Sequence, residues 1–139
     1  MTKVVVIGDP FVSAANLANA AKGLLLEEPV IIQSFEWQSE KTRSEFRAVI
    51  KILENDGPNG FEWSAEILAE VAEAEYLLVH LAPVSRKLLA QAKKLKMIGT
   101  CRGGLEHIDL EAVKARPGLS VINVIRNAEQ VADFTIGLM

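Results

Sequence analysis

The sequence predicts an α/β fold built on one parallel sheet of five strands, with helices on both faces. Three observations predict it. Five short apolar runs, rich in β-branched residues, recur along the chain, and Gly, Pro, Asp or Asn punctuates the joins. Between these runs, apolar residues recur three and four apart, the spacing of a helix with one buried face. Ser or Asn stands where several of those helical segments begin, as a helix cap requires.

Val4–Ile7 reads as a buried strand, ended by Gly8, Asp9 and Pro10. Ser13 caps a helix whose apolar face is Ala14, Leu17, Ala18, Ala21, Leu24 and Leu25. Pro29 closes the connection to a second strand, Val30–Phe35. Phe46, Val49, Ile50 and Leu53 mark a second helix, and the stretch from Asn55 to Gly60 reads as a loop. Ser64 caps a short helix with Ile67, Leu68 and Val71 inward. Tyr76–Leu81 is the third strand, ended by Pro83, and Ser85 opens a helix with Leu88, Leu89 and Ala92 on one side. Lys96–Cys101 is the fourth strand, Ile108–Arg116 a helix stopped by Pro117-Gly118, and Ser120–Val124 the fifth strand. Asn127 caps a last helix running to Met139. Right-handed crossovers then give a doubly wound, flavodoxin-like order.

With 139 residues, half of them hydrophobic, the chain has material for one sizeable core. A net charge of -3 gives no pull toward nucleic acid, and the basic cluster from Lys93 to Lys96 reads as a solvated helix face. A single cysteine, Cys101, excludes an internal disulfide framework and points to a reducing, cytoplasmic setting. Neither a signal peptide nor a membrane span is legible, and no ligand spacing suggests a metal site.

In doubly wound sheets, ligands bind beyond the carboxyl ends of the strands. Here that edge holds Gly8-Asp9-Pro10, His80, Cys101-Arg102-Gly103-Gly104 and Arg126-Asn127. Gly103 and Gly104 let successive backbone N–H groups point at one place, where a carboxylate fits and the Arg102 guanidinium adds a charged partner. Asn127 adds an amide and a helix N-terminus, also suited to an anion. A tight strand-to-helix turn and a plain N-cap account for the same spacing. His107 reads as a surface or cap contact at a helix start, with a catalytic role as the minor alternative. His80 reads as a satisfied strand-end side chain, and Cys101 as a small buried strand residue. A phosphoacceptor receiver is excluded, since it needs clustered acids, an Asp and a Lys where this chain has Asp9 alone, His80 and Arg126.

Leu95-Lys96-Met97-Ile98-Gly99, the loop through Asp109-Leu110-Glu111-Ala112, Ser120–Val124 and the run from Arg126 to Thr135 resemble the NAD-dependent D-isomer-specific 2-hydroxyacid dehydrogenases, relatives of phosphoglycerate and formate dehydrogenases. The likeness is strong over about residues 95 to 139 and holds only in element order before that. Arg102 stands where a glycine is common, and Thr100 where an arginine is common. The resemblance implies that Arg102, Gly103 and Gly104 hold the substrate carboxylate and that Asn127 lies near both substrate and nicotinamide. It implies NAD or NADP as cofactor of the parent enzyme, bound through a Gly-x-Gly-x-x-Gly loop that this sequence lacks. Residues 1–126 are then a substrate domain, and 127–139 an interdomain helix leading to an NAD-binding domain. The chain alone is expected to bind no cofactor and to carry no catalytic Arg, Glu or His of that family. The alternative is a small carboxylate-binding or regulatory module of the same shape. Val131, Ala132, Phe134, Ile136, Leu138 and Met139 point in nearly every direction of the last helix, so residues 128–139 are expected to self-associate or fray.

Overall fold

The computed structural model describes residues 2–22, 30–100 and 107–123. The last predicted helix, from Asn127 to Met139, lies outside the described residues, as do Leu24 and Leu25 of the first. Five strands, β1 (Thr2–Gly8), β2 (Val30–Glu36), β3 (Tyr76–Val79), β4 (Met97–Thr100) and β5 (Ser120–Asn123), form one sheet. Every pairing is parallel, and the order is β2-β1-β3-β4-β5. This is the flavodoxin-like arrangement that the element pattern predicts. The register sets Gly8 beside Glu36, Ile7 beside Val79, Val79 beside Thr100 and Thr100 beside Asn123. All five carboxyl ends therefore share one edge.

Strand periodicity divides the core in two. Val4, Val6, Leu78, Met97 and Ile122 face α1 (Ala14–Lys22), through its Ala14 and Leu17. Val5, Ile7, Leu77, Val79 and Ile98 face the other way. There they meet α2 (Arg43–Asp56) through Phe46 and Leu53, α3 (Ala65–Ala72) through Val71, α4 (Arg86–Gln91) through Leu88 and Leu89, and α5 (Leu110–Lys114) through Val113. The central run Val4–Ile7 is apolar at every position because both faces are covered, and all four side chains are fully buried. β2, at one edge, is only half committed, and Ile31 stays exposed.

Caps fix the helix starts. Ser64 and Ser85 accept from Ile67 N and Leu88 N, and Ser13 Oγ accepts from Asn16 N at 3.2 Å. Thr42 and Glu45 form a reciprocal capping box on α2. The 55–60 loop contains a 3-10 turn at Pro58–Gly60, entered through Gly57 at a positive φ of 77°. An aromatic cluster then binds the segment after β2 to the carboxyl edge. Trp37 meets Phe46 and Phe61 edge-on, Phe11 meets Phe46, and Trp63 Nε1 donates to Pro83 O at 3.0 Å.

Several boundaries differ from the sequence reading: β1 extends to Thr2–Gly8, β3 ends at Val79 rather than Leu81, and α5 ends at Lys114 rather than Arg116. Two further shifts have a clear cause. The helix predicted from Ile108 begins at Leu110, because Ile108 is held in a parallel bridge to Val84. Strand β4 begins at Met97 rather than Lys96, whose exposed side chain reaches Glu75.

Candidate functional site

The strand order reverses between β1 and β3, so the crevice at the switch point opens between the residues that follow those strands. They are Asp9 and His80. Asp9 is buried, and its carboxylate is the hub of the turn. Oδ1 accepts from Phe11 N at 2.8 Å and Val12 N at 3.0 Å. Oδ2 accepts from Leu81 N at 3.1 Å and lies 3.0 Å from His80 Nδ1. A carboxylate only accepts, so the His80 Nδ1 carries the proton in this pair. His80 is thus satisfied at Nδ1, as the sequence reading expected. Its side chain keeps 14% exposure, and its Nε2 makes no hydrogen bond among the described residues.

Strand β4 joins the same edge from the other side. Thr100, fully buried, donates through Oγ1 to His80 O at 3.2 Å and lies 3.0 Å from His107 Nε2. The hydroxyl has one proton, given to the carbonyl, so His107 Nε2 is the donor in the second contact. His107 is fully buried, which corrects the expectation of a surface or cap contact. The reason lies in the backbone. Val84 N donates to His107 O at 2.8 Å and Asp109 N to Val84 O at 3.0 Å, and this bridge draws the residue inward. A catalytic role for His107 needs access to substrate, which that burial denies.

The predicted carboxylate-binding residues Arg102, Gly103 and Gly104, with Cys101, lie outside the described residues, and so do Arg126 and Asn127. The residues on either side of the 101–106 stretch, Thr100 and His107, are described and bonded to each other.

The turn after β1 is the place where many doubly wound sheets cradle a phosphate, and here it does not fit a dinucleotide. Its amides are already taken by the chain's own side chains. Phe11 N and Val12 N serve Asp9, Ala14 N serves Glu36 Oε1, and Asn16 N serves Ser13. The start of α1 also leans directly on Gly8, where a Cβ would overlap Ala14 N and the Ser13 carbonyl carbon.

A second cluster, missed from sequence, joins the 3-10 turn to α4 and α5. Asp109 caps α5 through Oδ1, which accepts from Ala112 N at 3.1 Å. Its Oδ2 accepts from Asn59 Nδ2 at 2.9 Å and lies 3.4 Å from Arg86 Nε, while Asn59 Oδ1 accepts from Arg86 N. These residues line an open cleft of about 590 Å³ with Asp56 and Glu111. Three carboxylates face one guanidinium there, and that guanidinium is already paired, so the cleft repels a carboxylate ligand. The Asn59 hydrogen bond, then the Ala112 amide and the Arg86 charge, hold the Asp109 carboxyl below its ordinary value, against the opposing effect of burial. A lowered folded value stabilises the fold above the ordinary aspartate range, and that stability is lost as pH falls through the folded value. Asn59→Ala should therefore cost stability at neutral pH, with the gap from wild type closing in acid. Urea unfolding at stepped pH measures this, and a gap that stays constant into acid contradicts it.

No helix among the described residues is long and apolar enough to cross a membrane. Comparison with known proteins identifies the family. Residues 30–136 match the model of the D-isomer specific 2-hydroxyacid dehydrogenase catalytic domain. A D-3-phosphoglycerate dehydrogenase of Methanocaldococcus jannaschii is 35% identical over 96 residues, covering 65% of this chain and 18% of that protein. The Mycobacterium leprae and Sus scrofa D-3-phosphoglycerate dehydrogenases are 36% and 34% identical over 60% and 53% of this chain, and 15% and 14% of those proteins. The chain thus spans less than a fifth of the length of these relatives. A crystal structure of NAD+-bound 3-phosphoglycerate dehydrogenase from Entamoeba histolytica shares the fold, with a TM-score of 0.58 at 17% identity over 88% of this chain and 32% of that one. On the match across residues 30–136, the chain belongs to the catalytic-domain family of D-isomer specific 2-hydroxyacid dehydrogenases.

Proposed function

We propose that this chain is the substrate-binding portion of an oxidoreductase that moves hydride between NAD(P) and the C2 carbon of a 2-hydroxy or 2-oxo acid. The observation that carries the proposal is the extent of the family match. It runs through both the 101–104 loop and Asn127, the two places where the sequence offers anion-binding amides at the carboxyl edge. In this reading Gly103 and Gly104 give backbone N–H groups to the carboxylate, and Arg102 adds its guanidinium. Asn127 stands where substrate and nicotinamide meet. Residues 1–126 form the substrate domain, and 127–139 lead to a separate domain that holds the dinucleotide, in keeping with the saturated turn after β1. The cofactor would accept the hydride from a 2-hydroxy acid or give it to a 2-oxo acid, and this chain alone is expected to turn nothing over. A cytoplasmic setting agrees with the single cysteine.

Gly104→Val tests the loop. It should weaken binding of a small 2-hydroxy acid by about tenfold or more, the cost of losing charge-assisted hydrogen bonds, with little change in thermal midpoint. Titration followed by backbone amide shifts measures the affinity. Unchanged binding in the variant would reduce the loop to a turn.

The apolar residues of 128–139 have partners in this reading only when a second domain or a second copy covers them. The isolated chain should therefore self-associate through that segment, or the segment should fray. Light scattering after gel filtration separates the two, since only association gives a mass that rises with concentration, and a monomer with residues 128–139 fully protected from hydrogen exchange would contradict both.

A further inference from the structure

We propose that the outer edge of β2 is a docking surface for a second copy of this chain, paired antiparallel about a two-fold axis at Gln33. Nothing in this pairing depends on the acid or the dinucleotide. β2 ends the sheet, and among the described residues no strand pairs with its outer side. An edge of that kind templates further pairing unless it is blunted by shortness, a bulge, proline or lysine. β5, the opposite edge, is only four residues long. β2 has none of these devices. It runs for seven residues, Val-Ile-Ile-Gln-Ser-Phe-Glu, in unbroken register with β1, and its single charge falls on the last of them, Glu36. It also lacks apolar cover. Ile31 shares a face with Phe35, which packs against the larger core cluster, yet Ile31 is 42% exposed.

Backbone direction sets the parity of the pairing. Trp37 N donates to Gly8 O, so residues 31, 33 and 35 turn their N–H and C=O groups toward β1. Residues 30, 32, 34 and 36 therefore turn theirs outward. With the axis at Gln33, residue 32 exchanges hydrogen bonds with the partner's residue 34, and residue 30 with the partner's residue 36. Each Ile31 then stands against the partner's Phe35 in a non-hydrogen-bonded pair, the kind in which side chains come closest. An aromatic and a β-branched residue suit each other there, and the exposed isoleucine gains cover. Gln33 meets its own copy, amide to amide. Charge is complementary too, since each Glu36 falls opposite position 30 of the partner and no like charges face each other. Any other centre shortens the seven-residue overlap. A two-fold contact closes on itself, so pairing stops at the dimer. A seven-residue strand spans about 23 Å. Pairing along it alone falls short of the roughly 1,200 Å² at which specific, stable interfaces begin, so the dimer is a weak, transient one.

Amide hydrogen exchange of the full chain, followed across protein concentration, tests the pairing. Exchange at Ile32 and Ser34 should slow severalfold as concentration rises, while Ile31, Gln33 and Phe35, already bonded to β1, should not change. Ile31→Lys sets a charge against the partner's Phe35 and should weaken association about tenfold by light scattering. Ile52→Lys is the control, because Ile52 is 51% exposed but lies on α2, and it should leave association unchanged. If Ile31→Lys fails to fold, the alternating exchange pattern of wild type decides alone. Exchange at Ile32 and Ser34 that ignores concentration would overturn the proposal, whether those amides stay open throughout or are covered throughout by another segment of the same chain. Equal association of Ile31→Lys and Ile52→Lys would overturn it too, since the copies would then meet elsewhere, as through residues 128–139.

Discussion

Asp9→Ala is expected to destabilise the fold by about 3–4 kcal/mol, the range for breaking a buried, charge-assisted network. The substitution removes the acceptor for Phe11 N, Val12 N and Leu81 N and the partner of His80 in one step. Val12 and Leu81 are buried, so their N–H groups have poor access to replacement water. The loss also unties β1 from β3 at the carboxyl edge, where no strand pairing continues past Ile7 and Val79. Urea unfolding should show a lower midpoint with an unchanged slope, the mark of altered stability rather than altered compactness. A change under about 1 kcal/mol would mean that water enters the turn and replaces the carboxylate.

Gly8→Val should be comparably severe for a different reason. A Cβ at Gly8 meets backbone atoms of Ser13 and Ala14, which cannot swing aside as a long side chain does. The N-terminus of α1 would have to lift off the sheet, weakening the Glu36 cap on Ala14 N and the packing of Leu17 on Val4 and Val6. Forced overpacking of this kind costs about 1–3 kcal/mol, and more where backbone must move. Gly60→Ala is the matched control, since nothing lies within 4 Å of a Cβ there. It should change stability by less than about 0.5 kcal/mol. Thermal midpoints of the two variants give the comparison, and similar small shifts in both would show that the β1–α1 turn yields easily.

Much of the fold was legible because its signals are local. The apolar runs at Val4–Ile7 and Tyr76–Val79 show in sequence what the sheet shows in space, namely strands buried on both faces. Ser13, Ser64 and Ser85 cap the helices they were expected to cap. What escaped depends on residues far apart in the chain. His107 looks like a surface residue between Glu106 and Ile108 until the Val84–Ile108 bridge draws it inside. Asp109 and Asn59 are fifty positions apart, and neither has a local cue for the other. The Asp9–His80 pair was half visible. Both residues could be placed at the carboxyl edge, but only the β1–β3 adjacency makes them partners. Gln38, at a positive φ of 61°, carries no sequence signal of that turn.

The proposed function puts the acid at the 101–104 loop and the dinucleotide elsewhere. Isothermal titration of the purified chain with a set of small 2-hydroxy acids and, separately, with NAD+ tests that division most directly. Saturable heat is expected with at least one of the acids and none with NAD+, whose phosphates find the amides of the β1–α1 turn already occupied. Saturable binding of NAD+ to the chain, or no binding of any of the acids, would contradict it.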